Sequence, residues 1–498
     1  MSFGPPQLRV SPARERELDL KRLTDKHVKP LLSGEGEELR MRFWEELVIL
    51  GHILRWSLLA TIVGVLSGTG TAIFLRLLHV GIGWVETLPP TVRLVLPPLG
   101  GLLTGLLIHY FSPQSAGHGT EAVIRAVHKN SGKIPLSVPP VKMAASIIST
   151  ASGFSVGKEG PAAQIGAGLA SFFSWCLNLT PEERRKVVIC GISGGFASVF
   201  GTPIAGALFG VEVLFLGKIM YEVLYPSLVA GLVANWTASK FGVIYPFTHW
   251  SLPDMRPPAL DDFPYFVAAG VLFGLVAFLF IEMLSFFTRL FRRMRFWAPA
   301  KPMIGGVLLT LFAFELSLFS DRYFDFFGLG TDTIKNAVSG THALIVFGAA
   351  AVFLKMLFTS ISLGSGGSGG IVTPIFFIGT TSGLLVANLL PLDPTLLCQL
   401  GFTAVLAACA NTPISASVMA LELFGPSHGW VAALTVVIAF LVVGHRSVYE
   451  TQILGLRKTD ALLVRSGDEV GTSPHFRLSY SMIWKLARIR HLIRKLFR

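Results

Sequence analysis

Gly157-Lys158-Glu159-Gly160-Pro161 and Gly366-Gly367-Ser368-Gly369-Gly370-Ile371-Val372-Thr373-Pro374 are the two stretches on which the fold turns. Each is a glycine-rich turn that enters an apolar run through a proline. Proline in the first helical turn favours a helix start. Both turns interrupt sequence that otherwise reads as lipid-embedded. Backbone with unsatisfied polar groups cannot face hydrocarbon, so such breaks must be buried in protein or line a wet cavity. Interruptions at matching places in two halves of a chain point to a transport site.

The two halves do match. Thr202-Pro203-Ile204 is answered by Thr412-Pro413-Ile414, and Glu212 and Glu422 each follow nine residues after the proline. Gly160-Pro161 with Ile165-Gly166 is answered by Thr373-Pro374 with Ile378-Gly379. The offsets are 210 and 213 residues. Two collinear matches at nearly one offset predict a duplicated unit, with the copies inverted in the membrane.

Outward from these motifs, residues 48–254 and 255–447 form the two repeats. Residues 1–47 form a polar cytoplasmic segment with one short amphipathic helix around Phe43 and Trp44. Residues 448–498 form the last helix and a basic tail. Apolar spans run Leu58–Val80, Leu94–Phe111, Phe266–Phe286, Ile304–Phe319, Ala343–Phe358 and Trp430–Val443. Most approach the ~20 residues that cross ~30 Å of hydrocarbon. Shorter broken segments lie at Gly157–Pro161, Gly191–Pro203, Gly364–Pro374 and Ala408–Pro413. The expectation is an all-α polytopic membrane protein of two inverted-topology repeats, with roughly sixteen to eighteen helical segments, many tilted or half-length.

Composition agrees. Of 498 residues, 52% are hydrophobic and 14% charged, with mean hydropathy +0.61. Soluble domains carry about 25% charged residues, so most of this surface faces lipid. The net charge of +12 gathers at the ends and short connections, as the positive-inside rule requires, which excludes a nucleic-acid partner. No cleavable signal precedes the first apolar run, so the start stays in the cytoplasm. Cys176, Cys190, Cys398 and Cys409 sit in apolar stretches without paired spacing and read as small hydrophobes. In the tail, Ile483, Leu486, Ile489, Ile493, Leu496 and Phe497 fall at helical spacing among six basic residues. That pattern suits either a helix on an anionic leaflet or one packed on the body.

Moving a small ion from water into a low-dielectric interior costs on the order of 20 kcal/mol before compensation. Helix N-termini compensate gently, with free N–H groups and roughly half a positive charge each. Inverted duplication aims the Gly160 and Gly370 helix starts at one midplane point. Glu159 sits in such a turn, and intramembrane carboxylates are functional by default. It can occupy an anion site itself and leave when protonated or displaced. The alternative is a static ion pair with Lys158.

Gly157–Pro161 resembles the Gly-Lys/Arg-Glu-Gly-Pro signature of the CLC chloride channels and transporters. Gly370-Ile371-Val372-Thr373-Pro374 is similar to that family's Gly-x-Phe-x-Pro loop, and Gly117-His118-Gly119 with Glu121 to its first anion loop. Tyr449 resembles its pore tyrosine. The likeness runs in order from about Gly64 to Leu454. It implies the CLC fold, without regulatory C-terminal domains, and a homodimer with one pore per subunit. The host is expected to be the plasma (inner) membrane, with both termini cytoplasmic. It also implies bound chloride, with no cofactor or metal. Glu159 would be the gate. Gly117, His118, Lys158, Gly160, the N–H groups of Ile371 and Val372, and the Tyr449 hydroxyl would surround the anion.

Two departures matter. His118 stands where the family often has a serine; its imidazole either donates to the anion or points away and leaves only backbone. Fluoride and nitrate therefore stay open beside chloride. Val213 stands where proton-coupled members carry an internal glutamate. Valine cannot carry a proton, so the expectation is channel-like conduction, with proton antiport as the alternative, through water or Glu212. An intramembrane protease is a rival, because Gly191-Ile192-Ser193-Gly194 has a Gly-x-Ser-Gly form. It would need a histidine base within reach of Ser193. The next histidine, His249, lies outside this helical region, so no enzyme is expected.

Overall fold

The computed structural model describes residues 37–245, 258–319, 325–340, 348–459, 466–471 and 482. The basic pattern at 483–498 lies outside them. The chain divides into two compact units, residues 1–58 and 59–498. The described part of the first is helical and exposed along most of its length.

Sixteen helices are described. In chain order they are α1 (Glu37–Glu86), α2 (Pro90–Phe111), α3 (Thr120–Lys129), α4 (Val138–Ala151), α5 (Glu159–Cys176), α6 (Pro181–Phe200), α7 (Pro203–Glu212) and α8 (Tyr221–Lys240), then α9 (Phe263–Arg293), α10 (Ala300–Ser317), α11 (Thr331–Val338), α12 (Gly348–Gly364), α13 (Val372–Ala387), α14 (Pro394–Ala410), α15 (Pro413–Phe424) and α16 (Gly429–Val442). Four are long and apolar enough to cross a membrane. Others are half-length, as broken segments require. The stretch 191–203 is less broken than its composition suggests: α6 continues through its glycines to Phe200.

The repeat is visible in how helices stop and restart. The helix α6 ends on left-handed Gly201 (φ 74°), and α14 on left-handed Asn411 (φ 59°). Each is followed by Thr-Pro, which opens α7 or α15. A left-handed residue ends a helix by turning its next N–H away from the ladder, and proline can start a new one. The preceding crossings match too, both on small residues: Gly166 of α5 lies against Gly191 of α6, and Gly379 of α13 against Gly401 of α14.

Glu212 closes α7 and accepts from the N–H groups of Ile414 (3.0 Å) and Ser415 (2.8 Å) in the first turn of α15. Glu422, in α15, accepts from Ile204 (3.1 Å) and Ala205 (2.7 Å) in the first turn of α7. A carboxylate satisfies orphan N–H groups and matches the positive helix end. Such reciprocity is the mark of a local two-fold axis. Buried Ser193 is a packing residue: its hydroxyl donates to the Ala207 carbonyl at 3.0 Å.

Beyond α7, the strand β1 (Phe215–Leu216) pairs in parallel with β2 (Ile453–Leu454). Residues 466–471 lie along the other side of β2, through Leu454 N–H to Asp468 O and Gly467 N–H to Leu454 O. Leu216, Leu454 and Val470 form a small core there.

Candidate functional site

The starts of α5 and α13 meet. Gly157 N–H donates to Gly370 O at 2.6 Å, and Gly370 N–H donates to Gly157 O at 2.5 Å, in an isolated antiparallel bridge. A Cβ on Gly370 would lie 2.8 Å from Gly160 N, so only glycine permits this approach. Lys158 and Ile371, the residues before the two helices, give no side-chain cap. The first amides of both helices therefore take no cap from the residue before them, and an anionic group at the junction can bond them.

Glu159 reaches across this junction. Its carboxylate accepts from Thr373 N–H at 3.1 Å and from the Thr373 hydroxyl, which lies 2.7 and 2.6 Å from the two oxygens. It also accepts from Lys158 N–H at 3.2 Å. The neighbours meet through backbone, with no ion pair to the Lys158 ammonium among the described residues. The side chain is 1% exposed. A carboxylate thus covers the N-terminus of the opposite repeat's helix, where a small anion's charge would be stabilised.

The third loop docks from α3. Gly117 (φ 71°) and Gly119 (φ 84°) flank His118 in left-handed backbone that glycine adopts without strain. A Cβ on Gly119 would lie 2.6 Å from Gly160 O, and one on Gly160 would collide with the His118 carbonyl. The His118 ring sits 5.4 Å from the Tyr449 ring, and its Nε2 lies 3.1 Å from Glu121 Oε2.

Tyr449 is fully buried, and it lies in a loop after α16, not in the last helix expected from residue 448 onward; that loop is pinned on several sides. Val448 N–H donates to Cys409 O (3.0 Å), Tyr449 N–H to the Ser447 hydroxyl (3.0 Å), and the Thr451 hydroxyl to Glu121 O (3.2 Å). Gln452 Nε2 donates to Val213 O and Ala410 O, both at 2.8 Å. Among the described residues, buried His118 Nδ1 has no hydrogen-bond partner, and the buried Tyr449 and Thr120 hydroxyls have none but each other. Buried polar atoms are almost always fully partnered, so this under-satisfied cluster suits a ligand that bonds there. The structure thus gathers Gly117, His118, Lys158, Glu159, Gly160, Ile371, Val372 and Tyr449 around one junction. Val213 is buried beneath the Tyr449 loop.

Lys142 is a residue that motif reading misses. Its buried ammonium donates to Ser115 O (3.2 Å), Gly117 O (2.5 Å) and the Ser368 hydroxyl (3.0 Å), tying the first loop to the glycine loop before α13. Lys355, 213 residues on, donates in the same way to Phe326 O (3.2 Å) and Gly328 O (3.1 Å) ahead of α11. The signal was present: a single lysine inside each apolar run, and Gly117-His118-Gly119-Thr120-Glu121 echoed by Gly328-Leu329-Gly330-Thr331-Asp332.

Fold and site together define a polytopic membrane protein of duplicated helical architecture, with paired helix ends and a carboxylate at its centre. Known proteins place that architecture. The sequence profile of the voltage gated chloride channel family matches residues 100–444. The chain is 37% identical over 427 residues to a chloride/fluoride channel protein of Pseudomonas syringae pv. tomato, covering 85% of this chain and 92% of that one. It is 30% identical over 401 residues to the voltage-gated ClC-type chloride channel ClcB of Escherichia coli, covering 75% and 91%. Among solved structures, a CLC-type fluoride/proton antiporter superposes with TM-score 0.73 at 27% identity, covering 80% of this chain and 98% of that one. A slow cyanobacterial Cl⁻/H⁺ antiporter shares the fold, with TM-score 0.68 at 21% identity, covering 78% and 94%. The chain belongs to the voltage-gated chloride channel (CLC) family, and it is an anion-transporting integral membrane protein.

Proposed function

We propose that the chain moves small halide ions, chloride or fluoride, through a pore in each subunit of a homodimer, with Glu159 as the gate. One observation carries this reading: the Glu159 carboxylate lies on Thr373 at the N-terminus of α13, as a tethered substitute for a free anion. An arriving anion competes for that helix end, and protonation of Glu159 releases it. The N–H groups of Ile371 and Val372, the backbone of Gly117 and Gly160 and the Tyr449 hydroxyl form the donor set, joined by His118 Nδ1 only when it carries a proton, with Lys158 as the nearby cation. Backbone donors discriminate weakly among halides. The relatives described as handling chloride or fluoride support both as cargo. The host is the inner membrane, with both termini on the cytoplasmic side, as the basic ends favour.

Val213 supports passive conduction, since it offers no proton acceptor beneath the Tyr449 loop. Glu212 does not substitute for one, because both its oxygens cap α15. Coupled exchange is favoured by a different pair of groups, His118 and Glu121.

The gate is tested in liposomes loaded with chloride or fluoride. Glu159→Gln and Glu159→Ala are expected to keep anion efflux and lose its pH dependence. A wild-type pH profile in either variant overturns the assignment of Glu159.

A further inference from the structure

Proton coupling needs a second titratable group on the Tyr449 side of the gate, with access to water. His118 and Glu121 meet both requirements. Nε2 and Oε2 are 3.1 Å apart, and the Glu121 side chain is 23% exposed against 10% for His118. The imidazole packs on Tyr449 at 5.4 Å, and the His118 backbone carbonyl lies against Gly160, next in sequence to Glu159. Nδ1 is buried and has no hydrogen-bond partner among the described residues. One face of the ring is therefore anchored to a carboxylate, and the other nitrogen is available within the ion site. Imidazole is the side chain whose ordinary titration falls between pH 5 and 8.

We propose that His118, held by Glu121, is the inner proton station of this transporter. The proposal rests on the reading of Glu159 as the gate. Protonation adds one proton at His118 Nδ1, while Nε2–H stays on Glu121 Oε2. Discharge passes that proton, through water in the pore, to the Glu159 carboxylate. Imidazolium becomes neutral imidazole, and carboxylate becomes carboxylic acid. Charge balances, and no further reactant enters. Neutral Glu159 then yields the α13 N-terminus to an anion. Glu121 is a positioning residue that fixes the ring.

The charged and titratable surroundings of the pair come from six elements. On α3, Arg125 lies 3.6 Å from Glu121 Oε1. From α9, Arg292 faces Glu121 and also lies 3.7 Å from Glu450. From α4, Lys142 holds the Gly117 carbonyl. Tyr449 and Glu450 come from the pore loop, Cys409 from α14, and Glu159 from α5.

The test uses full-length protein in liposomes, with chloride and proton electrodes recording together, and reads protons moved per anion. In wild type, an outward chloride gradient is expected to drive protons uphill. His118→Gln and Glu121→Gln should each lower the proton-to-anion ratio at least about tenfold. Glu121→Asp should recover part of it, which a merely structural role would not require. Wild type that conducts chloride with no proton movement overturns the station and leaves the anion pathway standing. So does an unchanged ratio in either glutamine variant. Wild type that moves no anion removes the underlying reading as well. If His118→Gln fails to assemble, Glu121→Gln decides alone.

Discussion

Thr373 decides how firmly the gate is held. Its hydroxyl and its N–H both point at one carboxylate in a site that excludes bulk water. Hydrogen bonds to charged groups are each worth about 1.5–3 kcal/mol. Thr373→Val keeps the shape and the N–H but removes the hydroxyl. Glu159 should then leave the helix end more easily, and anion efflux at neutral pH should rise by about tenfold, since 1.4 kcal/mol is a factor of ten. Flux from liposomes at fixed pH checks this, and an unchanged rate would show that the hydroxyl does not restrain the gate. The sequence exposed Glu159 because a carboxylate stood in an apolar turn. It did not expose Thr373 as its partner, because the two are 214 residues apart and only the closed fold joins them. Lys142 was legible in principle, since a lone lysine within Val138–Ala151 breaks the apolar rule, yet its partners are backbone carbonyls that no motif encodes.

At the level of elements, the reciprocal caps are the clearest trace of duplication. The spacing from Pro203 to Glu212 and from Pro413 to Glu422 was readable as a repeat. What each glutamate touches was not, because each helix is capped by the other repeat. Removing a cap costs about 1–2 kcal/mol. Glu212→Ala and Glu422→Ala should therefore lower the thermal midpoint by similar amounts, as symmetry-related roles demand. Glu212→Gln should leave the proton-to-anion ratio unchanged, because its carboxylate is occupied by Ile414 and Ser415. Loss of coupling in that variant would return Glu212 to the proton route. The segment 191–203 shows the limit of pattern reading. Its glycines looked like a break, but they serve the close crossing of α5 and α6, and the true stop is Gly201.

Across the whole molecule, the pore loop is held between the two halves and the chain's end. Tyr449 follows α16 of the second repeat, yet Gln452 bonds Val213 of the first, and Thr451 bonds Glu121 on α3. Two residues further, β2 pairs with β1, and residues 466–471 close over that ribbon, with Lys129 and Glu469 joined at 2.5 Å. This strap has no counterpart among the repeat motifs, so duplication gave no hint of it, and its short strands carry too little pattern to be read locally. Its effect follows from loop entropy: a tyrosine that donates one hydrogen bond binds well only if its loop is already ordered. Val470 is 4% exposed and packs with Leu216 and Leu454 in the strap's small core. Val470→Asp places a charge there and should release the strap while the helical body stays folded. Anion affinity by calorimetry is then expected to fall several-fold, with the main unfolding transition little changed. Unaltered affinity would show that Ser447, Thr451 and Gln452 order Tyr449 without help from the tail.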